Sequence, residues 1–453
     1  MNLPNYFLAD LPPETPITPT LLVEAAQTLR RNRNQYLLNR STDSLISVLH
    51  ELGQSWLNPE YPLRAMALDL APAVTGFFRS TLSIGLDRFF GQLTIENLRR
   101  LIEQELGHDQ RLDELVATDA ERMAKRAAIA RGPELVLHVT AGNVPNPALF
   151  SVVLGLLARS AQIVKCTTDT SLLTRLFAHS LYEIEPKLGA CLEIAEWRGG
   201  NQDLENALFK EVDCVTITGS DDALAAVRQR LPAHVRFLGY GHRVSFGYVA
   251  KEALSVLNVP QLLAKAVDDI VAWNQLGCLS PHLLYVEHGG RVSAEQFAEM
   301  LALELEKRDA TEPRGSVGVE VSALIATRRA FYEVRAAHSN ETRLWSSKQS
   351  TAWTIVYEAD PLFQTSCLHR FLYVKGVADL TEALHAAEPA RGQVSTVGLA
   401  AAGDRARKLA LEFARWGATR ICPLGQMQNP PLFWRHDGRP TLGDLVTWTD
   451  WEQ

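Results

Sequence analysis

Between residues 135 and 238 the chain alternates short aliphatic and β-branched runs with longer helical stretches. No other feature constrains the fold as tightly. The strand-like runs are 135–139, 163–165, 192–195, 214–218 and 235–238, and helical stretches at 145–159, 171–185, 204–210 and 222–230 fall between them. Strands separated by helices are joined by crossovers, so the pattern predicts βαβ units around a mostly parallel sheet, an α/β class. Such sheets bind ligands at the carboxyl ends of their strands. The turns that follow the strands are therefore the places to search for chemistry.

The flanks read differently. Residues 1–125 are helical in pattern. Thr18-Pro19 forms an N-cap followed by proline at the first helical position, and that helix runs to about Asn39. Ser41 begins a second helix that Asn58-Pro59 ends, and Thr94 begins a third with Leu98, Leu101, Ile102 and Leu106 on one face. This region carries no evident chemistry. The expected organisation is a helical region (1–125), the parallel-sheet domain (126–245), a second α/β domain (246–424) and an ordered C-terminal tail (425–453) packed on the body.

With 453 residues, 46% of them hydrophobic and 21% charged, the chain supports two or three cores. Its net charge of −7 and scattered basic residues give no field for nucleic acid or anionic membrane. The start of the chain lacks a signal-peptide pattern, and the most apolar stretch, 148–158, is too short to span a bilayer. A cytoplasmic location is expected. The six cysteines form no Cys-x-x-Cys pair, which argues against zinc ribbons and redox motifs, and the histidine spacing suggests no metal site.

Four short motifs can carry chemistry. In Gly142-Asn143-Val144-Pro145 the Asn143 amide either stabilises an oxyanion or caps the next helix. Lys165 ends a strand, where it either meets a nucleotide or lies solvated. Thr218-Gly219-Ser220 joins a strand to a helix, and Ser220 is either part of a phosphate-binding turn or a simple N-cap. The usual G-x-G-x-x-G fingerprint is absent. Finally, Asn274-Gln275-Leu276-Gly277-Cys278-Leu279-Ser280-Pro281 places a thiol after a glycine, which would let a substrate carbonyl approach the backbone. Cys278 is either a nucleophile whose own N–H supports an oxyanion or a packing residue. His138, His242, His282 and His369 are candidate acids or bases.

The order of these motifs, with Gly241-His242-Arg243-Val244-Ser245-Phe246 and the tail phrases Arg420-Ile421-Cys422-Pro423-Leu424-Gly425 and Trp434-Arg435-His436-Asp437-Gly438-Arg439, resembles the aldehyde dehydrogenase superfamily. More closely it resembles the acyl-CoA reductase family, the LuxC-type fatty-acid reductases of bacterial bioluminescence. The resemblance runs from about residue 130 to the end. It implies an aldehyde dehydrogenase-like fold, with a Rossmann-type cofactor domain and a catalytic thiol domain. It makes Cys278 the acyl-accepting thiol and Asn143 the oxyanion amide. Lys165 would hold the adenosine ribose, Thr218, Gly219 and Ser220 would receive the pyrophosphate, and His242 is the candidate proton donor. It also implies an acyl-CoA or acyl-protein thioester substrate, an acyl-protein synthetase or carrier-protein partner, and a homo-oligomer.

Two departures refine the expectation. The water-activating glutamate of ordinary aldehyde dehydrogenases matches Gly239, with no carboxylate nearby in sequence. An acyl-cysteine here is expected to await hydride rather than water. Where NAD-preferring relatives place a glutamate, this chain has Thr168, so the expected cofactor is NADPH. The alternatives are a hydrolytic aldehyde dehydrogenase and a non-catalytic acyl-carrier or scaffold subunit.

Overall fold

The computed structural model describes residues 3–12, 14–168 and 170–453. The reading of the chain's start falls partly on Met1 and Asn2, outside the described residues. The chain divides into two compact units. The first takes the residues up to Thr75, Leu86–Gly241 and Pro431–Gln453; the second takes Gly76–Gly85 and His242–Pro430.

In the first unit, β1 (Arg126–Arg131) precedes five strands that form one parallel sheet: β2 (Leu135–Val139), β3 (Ala161–Cys166), β4 (Leu192–Glu196), β5 (Cys214–Thr218) and β6 (Arg236–Tyr240). Their order is β4-β3-β2-β5-β6. Each coincides with a run expected from sequence, because aliphatic runs buried on both faces are what a parallel sheet demands. Leu135, Leu137, Ile163, Val215 and Ile217 are buried in the sheet's core, together with Leu22, Ala26 and Leu29 of the helix Pro19–Asn32. The strand order reverses between β2 and β5, which makes the crevice beyond their carboxyl ends the natural ligand position.

The expected caps are present. Thr18, Ser41 and Thr94 side chains accept from the N–H groups of Leu21, Ser44 and Asn97. Two further helices, Pro62–Thr75 and Arg79–Phe90, were not anticipated. The first helix stops at Asn32 and continues to Leu37 as a π-turn.

The second unit contains β7 (Val244–Val249), β8 (Pro281–Glu287), β9 (Thr342–Ser346), β10 (Thr354–Glu358), β11 (Phe371–Val377), β12 (Val394–Ala400) and β13 (Arg420–Pro423). The sheet order is β13-β12-β7-β8-β11-β10-β9, parallel except for the edge strand β9. One face is covered by the helices Val259–Val271 and Ala294–Thr311, the other by Val319–His338 and Gly403–Trp416. In the C-terminal segment, β14 (Thr447–Glu452) pairs antiparallel with β1, a partnership more than three hundred residues apart. Among the described residues no helix is long and apolar enough to cross a membrane, and no cluster of His, Cys, Asp or Glu could hold a metal ion.

Candidate functional site

In the first unit, the parallel sheet brings the sequence candidates to one edge. Val139 pairs with both Lys165 and Ile217, so the turns after β2, β3 and β5 emerge side by side. Asn143 is exposed in the first of them. It does not cap the following helix, whose N-cap is Pro145. Neighbouring Asn146 has a buried Oδ1 with no hydrogen-bond partner among the described residues. Ser220 is the N-cap of the helix Asp221–Arg230, its Oγ accepting from the Ala223 N–H at 3.3 Å. Thr168 is exposed and Thr218 and Gly219 are half-buried.

Lys165 is 3% exposed, so the solvated alternative fails. Among the described residues its ammonium makes no hydrogen bond, and it stands 5.8 Å from the Trp197 ring centre. Burial lowers its pKa, against the opposing pull of Glu205, Cys166 and Glu196. Trp197 Nε1 is also buried without a hydrogen-bond partner among the described residues. A buried, unbonded cation at a strand's carboxyl end fits the sugar or phosphate of a nucleotide. Sequence reasoning missed Glu196, which pairs with Cys166 across β3 and β4 and places a carboxylate near Lys165.

A second carboxylate was also missed. Gly241 follows β6, and a Cβ there would collide with Asp221 Oδ1. The turn that lacks a glutamate at Gly239 therefore has an acidic group beside it, supplied by the first turn of the next helix, where the helix dipole favours negative charge.

In the second unit, Cys278 sits on a loop whose backbone is fixed at several points. The helix Val259–Val271 ends against three successive left-handed residues, Trp273, Asn274 and Gln275, with φ of 49°, 50° and 64°. Non-glycine residues rarely hold this conformation, at about 1–3 kcal/mol each, and surrounding contacts must impose it. Asn274 Nδ2 donates to the Arg314 carbonyl, Asn274 Oδ1 accepts from Arg370 Nε, and Gln275 Nε2 donates to the carbonyls of Pro281 and Phe371. A second left-handed triplet, Leu368, His369 and Arg370, locks onto the first through the His369 N–H and the Asn274 carbonyl at 2.9 Å.

The Cys278 carbonyl accepts from Ser245 Oγ at 2.8 Å. On its Cβ side Gly277 faces the Gln428 side-chain amide. A Cβ there would stand 2.8 Å from Gln428 Oε1, and Gln428 Nε2 donates to Ser280 Oγ at 2.5 Å. Cys278 is the exposed cysteine, whereas Cys166, Cys191, Cys214 and Cys422 are buried and Cys367 is half-buried.

The histidine candidates separate. His138, His282 and His369 all have pKa values pushed down to about 4 by burial. His138 is bonded to Thr216 Oγ1 and Gln162 Oε1, and His282 Nδ1 accepts from the Ser366 N–H at 3.0 Å. His242 is exposed and lies close enough to bear on His282 electrostatically.

The parallel-sheet unit and the second α/β unit with its exposed thiol make up an aldehyde dehydrogenase-like fold. Solved structures agree. The NADP-dependent glyceraldehyde-3-phosphate dehydrogenase of Bacillus halodurans C-125, complexed with NADP, superposes with a TM-score of 0.70 at 12% identity over 96% of this chain and 92% of that one. An oxidoreductase from Marinobacter aquaeolei gives 0.72 at 11%, over 96% and 90%. The chain belongs to the acyl-CoA reductase (LuxC) family, which matches residues 37–448. Similar proteins include the long-chain acyl-protein thioester reductase 2 of Photobacterium leiognathi, 22% identical over 95% of this chain and 86% of that protein. The long-chain acyl-protein thioester reductase of Aliivibrio fischeri is 23% identical over 92% and 83%.

Proposed function

We propose that this protein reduces a long-chain acyl thioester, carried by coenzyme A or a protein, to an aldehyde through an acyl group on Cys278. The observation that carries the reading is the exposed Cys278 thiol on a loop whose backbone is held from both sides. Family membership and the relatives' activity on acyl-protein thioesters support it. The thiolate attacks the acyl carbonyl, the S–C bond forms, and the donor thiol departs with a proton for which His242 is the candidate source. The Cys278 N–H and the Asn143 amide are the proposed stabilisers of the oxyanion in both tetrahedral stages. Lys165, Thr168 and the 218–220 turn would hold a nicotinamide dinucleotide, which supplies the hydride when bound. Buried Lys165 beside a neutral Thr168 supports NADPH. The likeness to a dehydrogenase complexed with NADP is consistent with that choice.

Intact-mass spectrometry after incubation with a panel of acyl-CoAs tests the reading. One acyl adduct should map to Cys278, and Cys278→Ala should abolish both the adduct and NADPH-dependent aldehyde formation. Aldehyde formation that survives in Cys278→Ala sinks the assignment. One observation favours a second reading, hydrolytic oxidation of an aldehyde to an acid: Asp221 stands beside Gly241, near the turn where the water-activating glutamate is missing. Release of free acid from the acyl-enzyme without nucleotide would favour it.

A further inference from the structure

On the unit that carries Cys278, the segments leading into β7, β11 and β12 help enclose a cavity of about 480 Å³. His242, Arg328, Phe331, Arg335, Phe363 and Gln364 supply its chemistry. Two of these are guanidinium groups, and among the described residues lining the cavity none is acidic. Both arginines stand on the helix Val319–His338, two turns apart. Arg335 lies 2.8 Å from Glu358, a carboxylate that also faces Lys375 Nζ at 3.2 Å, and Asp360 acts on Lys375 as well. Arg328 forms no ion pair among the described residues, and its side chain reaches the Cys367 thiol. Arg328 therefore brings to the cavity a positive charge that no carboxylate in its lining neutralises. Phe331, 52% exposed, adds an aromatic surface beneath Arg335, whose guanidinium carbon is 5.7 Å from its ring centre.

The cavity and the thiol lie at the same sheet edge. β7, β8, β11 and β12 are parallel, with Ser245 opposite Pro281, Val244 opposite Val394 and Leu283 opposite Tyr373. Cys278 comes three residues before β8, and His242 two residues before β7. Thr365 lines the cavity next to Ser366, which holds His282.

An arginine without a counter-ion in a concave, partly aromatic site is suited to an oxyanion that takes two parallel hydrogen bonds, above all a phosphate. Aromatic and guanidinium faces accept a planar ring, and the volume suits a small organic ligand. We propose that this cavity binds a phosphate ester attached to a planar heterocycle, with Arg328 and Arg335 on the phosphate. The proposal rests on the reading of Cys278 as acyl acceptor and extends it to the handle by which a reactant is held. Two sources share that chemistry: the coenzyme A of the donor thioester and the nicotinamide dinucleotide.

The test is direct binding to the full chain. Coenzyme A and NADPH are titrated separately against the wild type, Arg328→Gln, Arg328→Gln/Arg335→Gln and Arg328→Lys. Matching thermal melts check that each variant folds, which the exposure of both side chains favours. Loss of a charge-assisted bond should weaken the occupant roughly 10- to 100-fold, with partial recovery in Arg328→Lys. Weakening of coenzyme A alone assigns the cavity to the donor, weakening of NADPH alone assigns it to the dinucleotide, and weakening of both makes it shared. A change below about twofold for both ligands, or no wild-type binding of either, overturns the proposal. Acylation of Cys278 by an S-acyl-N-acetylcysteamine, a thioester without phosphate, should be unchanged in Arg328→Gln. If no thioester acylates the wild type, the reading of Cys278 fails, while the titrations still decide the cavity.

Discussion

Alkylation by iodoacetamide should single out Cys278. The thiolate is the reacting species, so rate follows thiolate fraction and access. Burial pushes Cys166 up to about 11 from an ordinary 9.0, and Cys191, Cys214 and Cys422 up to about 12. Well below its pKa, a thiol loses tenfold in thiolate for each unit the pKa rises. At pH 7.5 Cys166 therefore holds about 100-fold less thiolate than an unperturbed cysteine, and the other three about 1000-fold less. Cys367 is raised as well, by partial burial. Reaching a buried sulfur also requires local opening, which slows reaction further. Limited alkylation followed by peptide mapping should give one fast site, the exposed Cys278, with Cys166 modified at least about 100-fold more slowly than an exposed, unperturbed thiol. The Cys278→Ser variant should lose that phase and keep the slow ones. Modification of any buried cysteine at a rate within about tenfold of Cys278 would refute the reasoning.

Three further outcomes are expected. Gly85→Ala drives a Cβ into the Trp273 indole, at the head of the left-handed triplet before Cys278; it should cost about 1–3 kcal/mol and slow acylation, read by thermal unfolding and adduct mass. Lys165→Ala should weaken NADPH at least roughly tenfold while leaving thioester acylation of Cys278 intact, and Glu196→Gln should raise the preference for NADPH over NADH; fluorescence titrations measure both. His138, whose pKa falls to about 4, takes up its proton more readily when unfolded; stability should drop as pH falls below 6.5 and level off below about 4, a loss of about 3 kcal/mol. Urea melts of the wild type and His138→Gln between pH 7.5 and 4 check this, and an identical pH dependence in the two would count against it.

The parallel sheet of the first unit was legible because its strands are buried on both faces, and local hydrophobicity reports such burial directly. The same holds for the caps at Thr18, Ser41 and Thr94, where one hydroxyl meets an N–H three residues away. The thiol segment was legible as a pattern, but its support was not. Trp273, Gln275, Leu368 and Arg370 show no preference for left-handed backbone, and hydrogen bonds to residues distant in sequence help hold the two segments there. That Gln428, far along the chain, faces Gly277 is likewise not written in the local sequence.

By itself, then, the sequence determined the α/β class, the order of the turns and the thiol that stands out among six. The first two follow from periodicity and short-range hydrogen bonding, which neighbouring residues encode, and the thiol from its local motif. The tertiary structure alone decided that Lys165 is buried, that Asp221 and Glu196 bring carboxylates to turns that lack them, that β1 pairs with β14, and that Arg328 and Arg335 line a cavity with no acidic residue among its described lining. Each depends on residues brought together from separate segments of the chain. Burial and electrostatics act through space, so the order of residues along the chain does not display them.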